Sequence, residues 1–156
     1  MTLPTQPNRS LRGDAASALN EDLAWNARLA ARLLTAALDQ GLKASGLTST
    51  QFGLMCLIAS SPDDTVGGLA ARGGLNQSTM SRNIDALSRA GLVEVATVNQ
   101  DRRRRAMWLT EAGLMRLNDA MPLWRSAQQA LAARLKPQLA QHLSGVKQVL
   151  APGPAA

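Results

Sequence analysis

NQSTMSRNIDALSRAG, residues 76–91, reads as one short helix with two unlike faces. Met80, Ile84 and Leu87 recur at spacings of four and three, which lays an apolar stripe along one side. Gln77, Ser78, Ser81, Arg82 and Asp85 fall on the other side. Asn76 suits the N-cap, because its side-chain oxygen can accept from the free amides of the first turn. Gly91 suits the stop, because glycine tolerates the left-handed backbone that ends many helices. Short polar side chains and one arginine on the exposed N-terminal half match the edges of bases in a DNA major groove. Taken alone the segment is better read as an ordinary surface helix, so its neighbours carry the argument.

Upstream, Gly73-Gly74 makes a tight turn, and Thr65 can cap a preceding helix, VGGLAAR, with Leu69 and Ala70 as core positions. Helix, glycine turn, helix is the helix-turn-helix pattern. Gly67 and Gly68 weaken the first of these helices by roughly 1 kcal/mol each relative to alanine. Before it, Thr48 to Gln51 offer caps for a helix from Ser49 to Ser60, nearly all apolar and therefore buried. Earlier still, a helix of about 20 residues runs from Asn20 to near Gly41. Its apolar arc is too wide for one contact surface, which predicts packing against another subunit. Residues 1–19, with Pro4 and Pro7, read as a flexible arm, although Asp14 offers an earlier helix start.

Downstream, Val93, Val95 and Thr97 alternate with Glu94 and Ala96, which is strand periodicity. Asn99-Gln100-Asp101 favours a turn, four arginines follow from Arg102 to Arg105, and Ala106 to Leu109 can form the return strand. The result is a β-hairpin with a cationic tip. Thr110 then caps a helix whose stripe is Leu114, Leu117, Met121, Trp124, Leu131 and Leu135. Pro122 predicts a kink in it and Pro137 its end. Residues 138–150 form a last helix, and 151–156 a tail.

Composition narrows the function. The net charge of +6 and pI of about 11.0 point towards an anionic partner such as nucleic acid. No run of about 18 apolar residues is present, so no membrane span is expected, and the N-terminus lacks the apolar centre of a signal peptide. Cys56 is the only cysteine, which excludes an internal disulfide. With His142 the only histidine, no local metal-ligand set can be written, and no catalytic constellation or phosphate-binding glycine loop appears. The expectation is a soluble cytoplasmic protein without metal or cofactor, and not an enzyme.

Three segments resemble the MarR family of winged-helix transcription regulators: LTSTQFGLMCLI at 47–58, TVGGLAARGGLNQSTMSRNIDALSRAGLVE at 65–94 and DRRRRAMWLTEAG at 101–113. The last is the most specific. Asp101, Arg103, Leu109, Thr110 and Gly113 sit where that family has Asp-x-Arg in the wing and Leu-Thr-x-x-Gly opening the next helix. The fold class expected is mainly α with a small β-hairpin wing. A winged helix-turn-helix at 47–110 is flanked by dimerisation helices at 20–46 and 111–150, within a single domain at 20–150. The resemblance implies a homodimer on a pseudo-palindromic operator of double-stranded DNA, usually as a repressor released by a small aromatic or anionic effector.

In that setting Gln77, Ser78, Thr79, Ser81 and Arg82 are the candidate base-reading residues. Arg102, Arg103, Arg104 and Arg105 grip phosphate or enter the minor groove, supplying affinity and salt dependence more than discrimination. Asp101 would be repelled by phosphate and is expected to orient an arginine of the wing. Trp25, Arg28 and Met55 outline an effector pocket between the dimer helices and the winged helix, where the family binds such ligands. The favoured reading makes the tryptophans core or interface anchors instead. Cys56 lies in an apolar run without a basic neighbour, so an inert core thiol is favoured over a redox sensor. A winged helix serving as a protein-interaction module is the other alternative.

Overall fold

The computed structural model describes residues 9–60, 65–97 and 105–150. The chain divides into two compact units, Met1–Ala36 and Ala37–Ala156. The first unit contains α1 (Arg9–Glu21) and the larger part of α2 (Leu23–Leu42). Part of the segment read as a flexible arm is thus helical. Alanines and leucines between Arg9 and Glu21 are good helix formers, and Pro4 and Pro7 lie before it. Asp22 separates the two helices: its carboxylate accepts from the Trp25 amide at 2.6 Å and so caps α2.

The second unit runs from the end of α2 through one 3₁₀ turn (Lys43–Ser45), α3 (Ser49–Ser60), α4 (Val66–Gly73), α5 (Gln77–Arg89), β1 (Val93–Thr97), β2 (Arg105–Leu109), α6 (Glu111–Arg134) and α7 (Pro137–Leu150). The start of α3 is a reciprocal capping box. The Gln51 amide donates to Thr48 Oγ1 and the Thr48 amide donates to Gln51 Oε1, at 3.2 and 3.0 Å. Asp39 adds a third bond, accepting from the Ser49 amide at 2.6 Å. Thr65 caps α4 and Thr110 caps α6 through their hydroxyls, as the sequence predicts. Pro137 occupies the first position of α7, where its missing N–H costs nothing. α6 continues through Pro122 to Arg134.

The two strands pair antiparallel with Val93 opposite Leu109 and Thr97 opposite Arg105. Val93, Met107 and Leu109 face inward and are buried, while Glu94 and Trp108, directly opposed, face outward. The inward set joins one core with Leu42, Leu47, Phe52, Leu54, Met55, Ile58, Leu69, Met80, Ile84, Leu87 and Leu117. Trp124 closes over it, stacked on Phe52 with ring centroids 5.6 Å apart.

The α6 stripe departs from expectation. In α6, Leu114 is exposed, and Gly113, Leu117 and Ala120 take the buried positions. In α2 only Leu42 is buried; Leu23, Leu29 and Leu33 are exposed, with Leu23 at 86%. Periodicity locates an apolar face but does not say whether this copy of the chain covers it.

Close approach explains one glycine. A Cβ at Gly113 would collide with the Leu92 carbonyl, whereas nothing lies within 4 Å of one at Gly53. Gly113→Ala is therefore expected to lower unfolding stability by roughly 1–3 kcal/mol. Gly53→Ala, also within a helix, should raise it by up to about 1 kcal/mol. Urea denaturation of both variants checks the pair, and equal effects would refute the packing at Gly113.

Candidate nucleic-acid interface

The candidate reading surface is carried by α5. Asn76 holds an extended backbone and its Oδ1 accepts from the Thr79 amide at 2.8 Å, which fixes the helix start. The same oxygen accepts the Ser78 hydroxyl at 2.9 Å. Ser78 is thus oriented by the cap, a link the spacing did not reveal. Met80, Ile84 and Leu87 are at most 2% exposed and clamp the opposite face into the core. Gln77, Ser78 and Arg82 are exposed; Thr79 and Ser81 are half-buried. Arg82 leans back along its own helix, Nε donating to the Ser78 carbonyl at 3.3 Å. One edge of its planar guanidinium is so engaged, which leaves Nη1 and Nη2 to form the fork that pairs with a guanine edge or a phosphate.

Beyond Leu87 the helix closes by a left-handed turn. Gly91 has φ +70°, and the Gly91 and Leu92 amides donate to Ser88 and Leu87 carbonyls at 2.9 and 3.0 Å. Thr110 then gathers the turn. Its amide donates to the Leu92 carbonyl at 3.1 Å and its hydroxyl to the Gly91 carbonyl at 2.7 Å. The same hydroxyl oxygen accepts from the Gly113 amide at 3.0 Å. The hairpin base is braced on its outer face by the Trp108 indole N–H, which donates to Glu94 Oε2 at 3.0 Å. Arg105 opens β2, whereas Asp101 and Arg102 to Arg104 lie outside the described residues.

Trp25 and Arg28, read with Met55 as an effector pocket, lie in the first unit. Trp25 and Arg28 meet in a cation–π contact, the guanidinium carbon 5.6 Å from the ring centroid. With Ala31 and Arg32 they line a cavity of about 380 Å³. Met55 lies in the second unit. It is 0% exposed and belongs to the core, so it offers no surface to a ligand. A wholly apolar helix run does not distinguish a pocket wall from a core position. Cys56 is half-buried against the same core, and burial pushes its thiol up from the ordinary value. Among the described residues no group of three or more metal-ligating side chains converges, and no helix is long and apolar enough to cross a membrane.

The chain is similar to the Mycobacterium tuberculosis transcriptional regulator MosR, at 34% identity and TM-score 0.74, with 84% of this chain and 96% of that one covered. The chain belongs to the MarR family. Residues 45–104 of this MarR-family chain match the family's own profile. MosR in complex with DNA gives 35% identity and TM-score 0.72 over 83% of this chain and 96% of that one. CouR from Rhodococcus jostii, bound to p-coumaroyl-CoA, shares the fold at 21% identity and TM-score 0.71, over 88% of this chain and 98% of that one. No curated protein sequence matches the chain. The helix pair α4–α5 and the hairpin match the winged helix-turn-helix of that family.

The raised thiol pKa predicts slow chemistry at Cys56. Since the thiolate is the nucleophile, alkylation by iodoacetamide at neutral pH should run well below the rate of the same thiol in urea-unfolded chain. Equal rates in the two states would show that the core does not shield it.

Proposed function

We propose that this chain is a sequence-specific regulator that binds double-stranded DNA as a homodimer at a pseudo-palindromic operator. The observation that carries this reading is the division of α5. One face is clamped by Met80, Ile84 and Leu87, and Gln77, Ser78 and Arg82 stand exposed on a capped N-terminal half. A rigid helix with short polar groups and one guanidinium is what base-edge readout needs. The MosR–DNA complex, at 35% identity, supports the same partner here.

Dimerisation is supported by the exposed apolar residues of α2 and α7, among them Leu23, Leu29, Leu33, Leu139 and Leu143. A two-fold pair would set two recognition helices about 34–36 Å apart, one turn of duplex. The arginines Arg102 to Arg105 supply phosphate or minor-groove contact, with Asp101 holding one of them in place. Repression relieved by a small anionic or aromatic effector is the regulatory mode we favour. CouR with p-coumaroyl-CoA and BpsR, whose DNA binding is regulated by 6-hydroxynicotinic acid, share the fold. On this chain the Trp25–Arg28 pair, with Arg32 beside it, offers a ring face and two cations for such a ligand.

The test is selection of bound sites from random duplex DNA at stated salt, followed by affinity measurement. A palindrome with half-sites one turn apart is expected. Arg82→Ala should lose about 1–3 kcal/mol of discrimination at one base pair of each half-site. Replacing Arg102 to Arg105 by alanine should weaken all sequences alike and flatten the salt slope by roughly 0.9 per lost phosphate contact. A wing variant with the parental slope would remove the wing from the interface, and absence of any preferred site would favour a protein-interaction role.

A further inference from the structure

The first two turns of α6 touch two places that the helix-turn-helix pattern does not connect. At Thr110 they hold the exit of the recognition helix, through the Gly91 and Leu92 carbonyls. Six residues on, roughly 9 Å along the helix at 1.5 Å per residue, Arg116 Nη1 donates to the Ser45 carbonyl at 3.0 Å. Ser45 lies in the 3₁₀ turn that follows α2 and is itself locked. It is 8% exposed, its hydroxyl donates to the Leu42 carbonyl at 2.6 Å, and it accepts from the Leu47 amide at 3.2 Å. The next residue, Gly46, has φ +73°, and a Cβ there would lie 3.1 Å from Arg116 Nη1. Arg116 therefore reaches across 71 residues of sequence onto a turn with no spare room.

We propose that Arg116 is a positioning residue for operator readout: it ties α6 to the turn after α2, and so sets where the recognition helix stands relative to the α2–α3 joint. The proposal rests on the operator reading above. α5 leaves through a two-residue turn gripped by Thr110, so a shift of the first turns of α6 against Ser45 is passed directly to that exit. The α2 end is where the long helix hands over to the core. A dimer built on α2 and α7 would fix the distance between two recognition helices through this joint. The charge-assisted bond of an exposed arginine to a backbone carbonyl can be removed without opening the core, because the Arg116 side chain lies outside it.

The test uses the full chain and the operator found by selection, with half-site separation varied by one base pair either way. Each step displaces one recognition helix by about 3.4 Å. The parental chain should lose about tenfold or more per step, the range of a mismatched base pair. Arg116→Met keeps the stem and loses the donor; its spacing profile should flatten to about threefold or less per step. Arg116→Lys keeps a cationic donor and should restore most of the profile, a rescue that loss of packing alone would not give. A folded Arg116→Met with the parental profile overturns the proposal. If that variant does not fold, Arg116→Ala is read the same way, and a parental profile there overturns it equally. A parental chain that binds all duplexes alike overturns the operator reading itself, a result visible before any variant is made.

Discussion

Two carbonyl groups at the end of the recognition helix have to be satisfied, and Thr110 satisfies both. Its amide and hydroxyl donate to Leu92 and Gly91, and its oxygen caps the following helix through Gly113. Leu92 is buried, and stranding its carbonyl would cost about 1–3 kcal/mol. The arrangement also forbids a side chain at Gly113, where the Leu92 carbonyl occupies the space. Recognition helix, hairpin and α6 thus converge on one residue. The pairing of Val93 with Leu109 begins directly beside it, which fixes which hairpin residues face the core and which face outward.

That convergence separates stability from readout on α5. The residues that hold the helix are Met80, Ile84 and Leu87, all at most 2% exposed. Those offered to a ligand lie on the opposite face and contribute little to the core. Exchanging Gln77 or Arg82 should have little effect on folding, since surface substitutions away from special features stay within about 0.5 kcal/mol. Ser78 is the exception, because its hydroxyl shares the Asn76 oxygen that caps the helix.

Much of this was legible in the residues. Ser49 to Ser60, the Thr65, Asn76 and Thr110 caps, the Gly91 stop and the strand periodicity at Val93 to Thr97 all follow from local rules, and the structure has them. Local rules failed where the outcome depends on distant chain. Leu114 is exposed although it continues the α6 stripe. Met55 sits in the core because α3 is surrounded, not because of anything in its own spacing. Arg116 and Asp39 could not be singled out at all. Their partners, Ser45 and Ser49, are backbone groups 71 and 10 residues away, and backbone acceptors and donors leave no mark on a sequence.

The chain has three tryptophans and no tyrosine, so its intrinsic fluorescence comes from three indoles alone. Each sits in a different environment. Trp25 lies beside the Arg28 guanidinium on α2, Trp108 donates to Glu94 on the hairpin, and Trp124 stacks on Phe52 at the edge of the core. Emission wavelength follows the polarity around each ring. The helical arm, the wing and the core are therefore optically distinct within one unlabelled molecule, and single tryptophan-to-phenylalanine exchanges would assign each signal to its part.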